Sequence, residues 1–120
     1  MNPAIGLVWY VALGSAVGGA SRFALSTLIQ QRASSAFPVG TLIVNVTGSF
    51  MLGLLSDMAP PTVTVVGVGG LGAYTTFSSF ARDAVALAEL RRLTTAALYV
   101  AATCVLGLAF AAVGVAIANT

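Results

Sequence analysis

From the N-terminus to Ser21, from Ala33 to Ser56, from Met58 to Ala81 and from Leu93 to Thr120, this chain carries no charged side chain. Stretches of that length cannot cover a water-facing surface, and each approaches the roughly 20 apolar residues that cross a hydrocarbon core as a helix. Soluble domains carry about 25% charged residues; here the figure is 7%, against 58% hydrophobic. The expectation is an all-α membrane protein. None of the stretches shows the period-2 alternation of a membrane barrel strand.

Polar and turn-forming residues divide the chain into four helices of a single transmembrane domain over residues 1–120, at about 4–29, 39–56, 62–88 and 93–118. Gln30-Gln31-Arg32 closes the first, and Pro38 restarts the chain. Met58-Ala59-Pro60-Pro61 makes the next turn, with Pro61 suited to the first turn of a helix. The third segment is interrupted at mid-membrane by glycines, with a break expected near 72–76. Met1 to Leu7 has no basic side chain, and the apolar run outlasts a signal-peptide core, so the first segment is expected to remain. Small residues at close-packing spacing, such as Gly14 with Gly18 and Ser15 with Gly19, let helix backbones approach.

The basic pI rests on five scattered arginines, too few for a nucleic-acid face. Cys104 is the one cysteine, which excludes an internal disulfide and reads as a small packing residue.

Gly67 to Phe80 is the most informative stretch. Gly67-x-Gly69-x-x-Gly72 has the spacing of a dinucleotide-binding loop, with Glu89 near the ribose offset, but that motif needs a strand before it and is set aside. In a membrane segment each glycine lowers helix propensity by about 1 kcal/mol relative to alanine. Non-helical backbone at that depth is tolerated only within protein or around a water-filled site. Carbonyls freed at Gly72 to Thr75 could coordinate a cation, and the amides opening the second half-helix could face an anion. The plainer alternative is a glycine-rich packing seam.

Phe77 and Phe80 share a face of that half-helix. Such a pair ordinarily faces lipid or core, but Thr75, Thr76, Ser78 and Ser79 interleave with it. A ring edge carries partial positive charge and can face a desolvated anion. Asn45 lies near the middle of the second segment, where polar side chains usually face the bundle interior. Its amide donates two hydrogen bonds, to a ligand or to another helix. Arg22 either snorkels as an anchor or neutralises an anion at a pore mouth. The first, second and fourth segments hold no carboxylate or histidine, which disfavours proton-coupled transport.

These residues resemble the small fluoride channels, the Fluc family. The match spans Gly18-Gly19-x-x-Arg22, then Gly40-Thr41-x-x-x-Asn45-x-x-Gly48-Ser49-Phe50-x-x-Gly53, then Gly72-x-x-Thr75-Thr76-Phe77-Ser78-Ser79-Phe80. The resemblance implies an antiparallel, dual-topology dimer in the cell membrane, multi-pass and surrounded by lipid, with two pores between subunits. It implies that Phe77, Phe80 and Asn45 line the fluoride pathway, and that Thr41, Ser78 and Ser79 supply hydroxyls along it. Gly72 and Thr75 would hold a central structural sodium ion (Na+) through backbone carbonyls, with Arg22 as vestibule or anchor. Tyr74 and Ser79 are milder departures from the family pattern. In the fourth segment, where family members often add pore hydroxyls, only Thr103 follows Thr94, Thr95 and Tyr99 before Asn119.

The function expected is passive, fluoride-selective export, with no enzyme activity. The rival is a small four-helix proton-coupled exporter of guanidinium or drug cations, whose chemistry needs a first-helix carboxylate where this chain has Arg22. A structural membrane subunit is a third reading, which leaves the break and Asn45 without a purpose. Arg32, Arg91 and Arg92 fall on one side if the helices alternate, and the positive-inside rule places that side in the cytoplasm. The partner is then either a second copy, inverted despite the bias, or an oppositely oriented homologue.

Overall fold

The computed structural model describes residues 2–120, among which every regular element is helical. Asn2 caps α1 (Pro3–Ala33) by accepting the Ala4 N–H at 2.8 Å, with Pro3 in the first helical position where no N–H is needed. α1 ends at Ser34, whose φ of 48° is left-handed. α2 (Val39–Leu54) follows, then a π-helical segment (Val63–Leu71), the single turn α3 (Gly72–Tyr74), α4 (Phe77–Glu89) and α5 (Leu93–Ala118).

α1 and α5 are long and apolar enough to cross a hydrocarbon core. α2 is apolar but has 16 residues, which at 1.5 Å per residue makes about 24 Å. α1 runs on past residue 29, with Gln30 in helical register while its side chain donates to the Ser35 and Phe37 carbonyls of the loop. α2 stops at Leu54, short of the residue 56 expected from the sequence.

Backbone-to-backbone packing holds these helices together. A Cβ added at Gly18 would run into the Gly70 carbonyl oxygen, and one at Gly14 would lie 2.9 Å from the Val65 carbonyl oxygen. α1 therefore lies directly on the π-helical segment, with Ser15 Oγ donating to the Gly69 carbonyl at 3.2 Å across the seam. The same device joins α2 to α5, where Cβ atoms at Gly53 and Gly114 would meet the Ala111 and Phe50 carbonyls. Close approach of this kind replaces the hydrophobic effect, which lipid removes as a driving force.

Two small apolar cores result: Val44, Leu71 and Tyr74, with Met51 and Leu55 against them, and Leu87, Ala96 and Tyr99, with Phe37, Leu42, Phe80 and Ala84. The first reaches the break through Tyr74, and the second lies between α4 and α5. The glycine run does not itself open. It stays helical with the wider π spacing, seen where the Gly72 N–H reaches back to the Gly67 carbonyl. The chain extends two residues beyond Tyr74, at Thr75 (φ −77°, ψ 158°) and Thr76 (φ −149°, ψ 111°).

Candidate functional site

β-Branched threonines favour extended backbone, and each threonine of the break also satisfies a helix end. Thr75 closes the first half: its N–H and its hydroxyl both donate to the Leu71 carbonyl, at 2.9 and 3.0 Å. Thr76 opens the second: its Oγ1 accepts the Ser79 N–H at 3.0 Å as the cap of α4. The Thr76 peptide groups remain, and Asn45 on α2 takes both. The Thr76 N–H donates to Asn45 Oδ1 at 2.7 Å, and Asn45 Nδ2 donates to the Thr76 carbonyl at 3.0 Å. One side chain thus pairs with an interrupted helix as a strand would. One N–H of the Asn45 amide is left over.

These diversions have a consequence for the carbonyls before the break. In an uninterrupted helix the Thr76 N–H would bond Gly72, and the Ser79 N–H would bond Thr75. Both donors are spent elsewhere, so Gly72 and Thr75 carbonyls lose their regular partners. Gly72 is exposed on the outside of the bundle and Thr75 is half-buried. Uncharged oxygens without a helical donor are the type of ligand a hard monovalent cation takes. One chain offers two of them.

Asn45 also lines a cleft of about 330 Å³ with Ser49, Thr75, Thr76, Phe77, Phe80, Thr103 and Cys104. Its polar lining is neutral amide, hydroxyl and thiol. Ser49 donates its hydroxyl to the Asn45 carbonyl and Thr103 to the Tyr99 carbonyl, each at 2.8 Å. As they stand, these hydroxyls offer lone pairs; either must swing off its own helix to donate to an anion.

Phe77 is 79% exposed, while Phe80 is half-buried, with 5.9 Å between ring centroids. Phe80 continues onto the fully buried Tyr99 ring at 5.3 Å, which meets Phe37 edge-on at 5.6 Å. This aromatic row leads toward a second, polar cavity of about 460 Å³, lined by Ser26, Thr27, Gln30, Thr41 and Asp83 among others. The Tyr99 hydroxyl points to Asp83 Oδ2 at a long 3.5 Å. Gln30 fixes the rim: Nε2 donates to the Ser35 and Phe37 carbonyls, and Oε1 accepts the Gly40 N–H.

The structure therefore brings Asn45, Thr75, Phe77 and Phe80 to one cleft and places Thr41 in the neighbouring cavity. Ser78 is exposed and Ser79 half-buried on α4, and neither lines the Asn45 cleft. Arg22 is half-buried on α1 and lines neither cavity. Sequence reading passed over Ser49 and Asp83 as site residues, and named Tyr99 and Thr103 among the fourth segment's hydroxyls without placing either in a site. Ser49 was within reach: it lies four residues after Asn45, on the same helix face.

Comparison with known proteins gives one family model, described as CrcB-like protein, camphor resistance, which matches residues 9–115. A protein named fluoride-specific ion channel FluC from Idiomarina loihiensis is 46% identical over 97 residues, covering 76% of this chain and 75% of that one. A FluC of Shewanella halifaxensis is 40% identical over 99 residues, covering 78% and 80%. A protein named fluoride-specific ion channel FluC 2 from Bacillus cereus is 37% identical over 106 residues, covering 87% and 90%.

Proposed function

The chain belongs to the CrcB-like family, and on that footing we propose that it is a fluoride channel, a passive pathway that exports fluoride from the cytoplasm and so lowers its toxicity. The relatives named as fluoride-specific ion channels support the substrate. The observation on this molecule that carries the reading is the cleft at the helix break, where Asn45 with its spare N–H, four hydroxyl-bearing residues and two phenylalanines line one neutral space. Fluoride gives up its water only for closely spaced donors, and such a set offers N–H and ring-edge C–H, with O–H added where a hydroxyl turns off its own helix.

In this reading all four segments span the cell membrane, and two subunits pack antiparallel so that the open sides of their clefts close on each other. Phe77 then meets protein instead of lipid. Asn45, Phe77 and Phe80 line the path, Thr41 and its polar cavity form one mouth, and Ser78 and Ser79 lie along the α4 wall. Arg22 stands as a vestibule charge or anchor. The Gly72 and Thr75 carbonyls would hold a sodium ion together with the same pair from the partner. When bound, that ion supplies positive charge and a fixed joint between the two breaks. The membrane potential, inside negative, drives the anion out with about 2.3 kcal/mol per charge per 100 mV. No proton needs to move with it.

Purified protein in liposomes loaded with fluoride, followed with a fluoride electrode and with chloride as control, tests this. The expected result is fluoride release without a pH gradient and little chloride release. Release that depends strictly on a pH gradient would overturn it in favour of the proton-coupled exporter.

A further inference from the structure

Gln30 spends both amide hydrogens and its oxygen on the chain that follows it. Nε2 donates to the Ser35 carbonyl at 2.8 Å and to the Phe37 carbonyl at 3.1 Å, and Oε1 accepts the Gly40 N–H at 3.0 Å. The need for this lies at the start of α2. The first N–H groups of a helix lack partners within it, and Pro38, in the cap position, makes no side-chain hydrogen bond to them. Gly40 is buried against α1, where an added Cβ would run into the Ser26 carbonyl, so water does not readily serve its N–H. Gln30 supplies from α1 the cap that α2 lacks.

The same amide sets Phe37. The Phe37 carbonyl accepts from Gln30 and from the Val39 N–H at 2.8 Å, and the Phe37 N–H donates to Ser35 Oγ at 3.1 Å. With both peptide groups held, the ring is directed onto the fully buried Tyr99, edge-on at 5.6 Å, and Tyr99 in turn carries Phe80 at 5.3 Å. Gln30 lines the polar cavity at one end of this row, and Phe80 lines the Asn45 cleft at the other. A site keeps its working geometry when neighbours lock its walls to within about 0.5 Å. Ring contacts depend on angle as well as distance.

We infer that Gln30 is a positioning residue of the fluoride pathway: through Phe37 it fixes the Tyr99 and Phe80 rings between the polar cavity and the Asn45 cleft. The inference rests on the channel reading above. The residue type matters, because an ionised glutamate would have no hydrogen for the two carbonyls and leucine would offer neither donor nor acceptor.

The full chain, purified and placed in a planar bilayer with fluoride as the permeant anion, gives single-channel current as the readout. A folding defect lowers the number of channels, whereas a displaced wall lowers the current through each one. Gln30→Leu is expected to lower that current by about threefold or more. Phe37→Leu, which removes the ring and leaves the Gln30 bonds, is expected to do the same. Parent-level current in either variant would overturn the inference. The double variant should fall to within about 1.5-fold of the lower single one, because both act along one row. A drop equal to the product of the two would overturn the relay. Gln31→Leu takes an amide from the same cavity without touching the Gln30 bonds, and is expected to lower the current less than Gln30→Leu does. An equal drop would show that the polarity of the mouth matters and the clamp does not. Amide exchange at Gly40 needs no conduction: it should be about tenfold faster in Gln30→Leu and unchanged in Phe37→Leu. A Gly40 still protected in Gln30→Leu would overturn the clamp. A parent chain without fluoride current would overturn the channel reading and this role with it, whereas a conducting parent with unaltered variants would overturn the role alone.

Discussion

Replacing Asn45 removes both partners of the Thr76 peptide, and the cost follows from the geometry. Thr76 is 8% exposed, so water does not readily take over bonds that now measure 2.7 and 3.0 Å. A buried donor or acceptor left unpaired costs about 1–3 kcal/mol. Interhelical hydrogen bonds in membrane proteins average nearer 0.6 kcal/mol, because the unfolded chain in the bilayer finds other partners. For the two groups together the bracket is about 1–6 kcal/mol, and we expect a loss of about 2–3 kcal/mol. Asn45→Leu is the sharper variant, because it keeps the volume and removes only the hydrogen bonds; Asn45→Ala adds a cavity. The assay is unfolding by sodium dodecyl sulfate in mixed micelles, read by far-ultraviolet circular dichroism, with amide exchange at Thr76 as local readout. Exchange there should accelerate at least tenfold. Asn45→Leu within about 0.5 kcal/mol of the parent, with Thr76 still protected, would refute the clamp.

Gly18→Ala pushes a methyl into the Gly70 carbonyl and should cost about 1–3 kcal/mol, whereas Gly19→Ala meets open space and should be neutral or slightly stabilising; the same unfolding titration compares them, and equal effects would dispose of the seam. Phe77→Ile and Phe80→Ile should each cut fluoride flux at least tenfold. Phe80→Ile should also lose about 0.5–1.5 kcal/mol of ring packing on Tyr99. Exchanging sodium for N-methylglucamine throughout purification should lower the melting temperature or the dimer fraction if the Gly72 and Thr75 carbonyls hold the ion. An unchanged melting curve and unchanged dimer fraction would count against that site.

The break shows where sequence reading reaches its limit. Four glycines at 67, 69, 70 and 72 mark helix weakness, and weakness was legible. They do not mark where the chain opens, because glycine lowers helix propensity without offering anything to the freed peptide groups. The chain opens at Thr75–Thr76, where the threonine hydroxyls and Asn45 are at hand to satisfy the exposed backbone. Thr41 illustrates the same limit from the other direction. It lies one helical turn from Asn45 on the same helix, yet lines the neighbouring cavity, because Phe80 and Tyr99 are stacked between the two.

By itself the sequence determined the all-helical membrane character, through charge-free stretches that no aqueous surface could accommodate, and the candidates for polar contact, because buried polar residues in such stretches are few. Tertiary structure alone decided how those candidates are used. Asn45 spends one amide N–H and its side-chain oxygen on Thr76 and keeps one N–H, and Ser49 and Thr103 join the cleft. The physical reason is that composition and hydropathy are summed along the chain, whereas a hydrogen bond or a shared cavity depends on which backbones the glycine seams allow to touch.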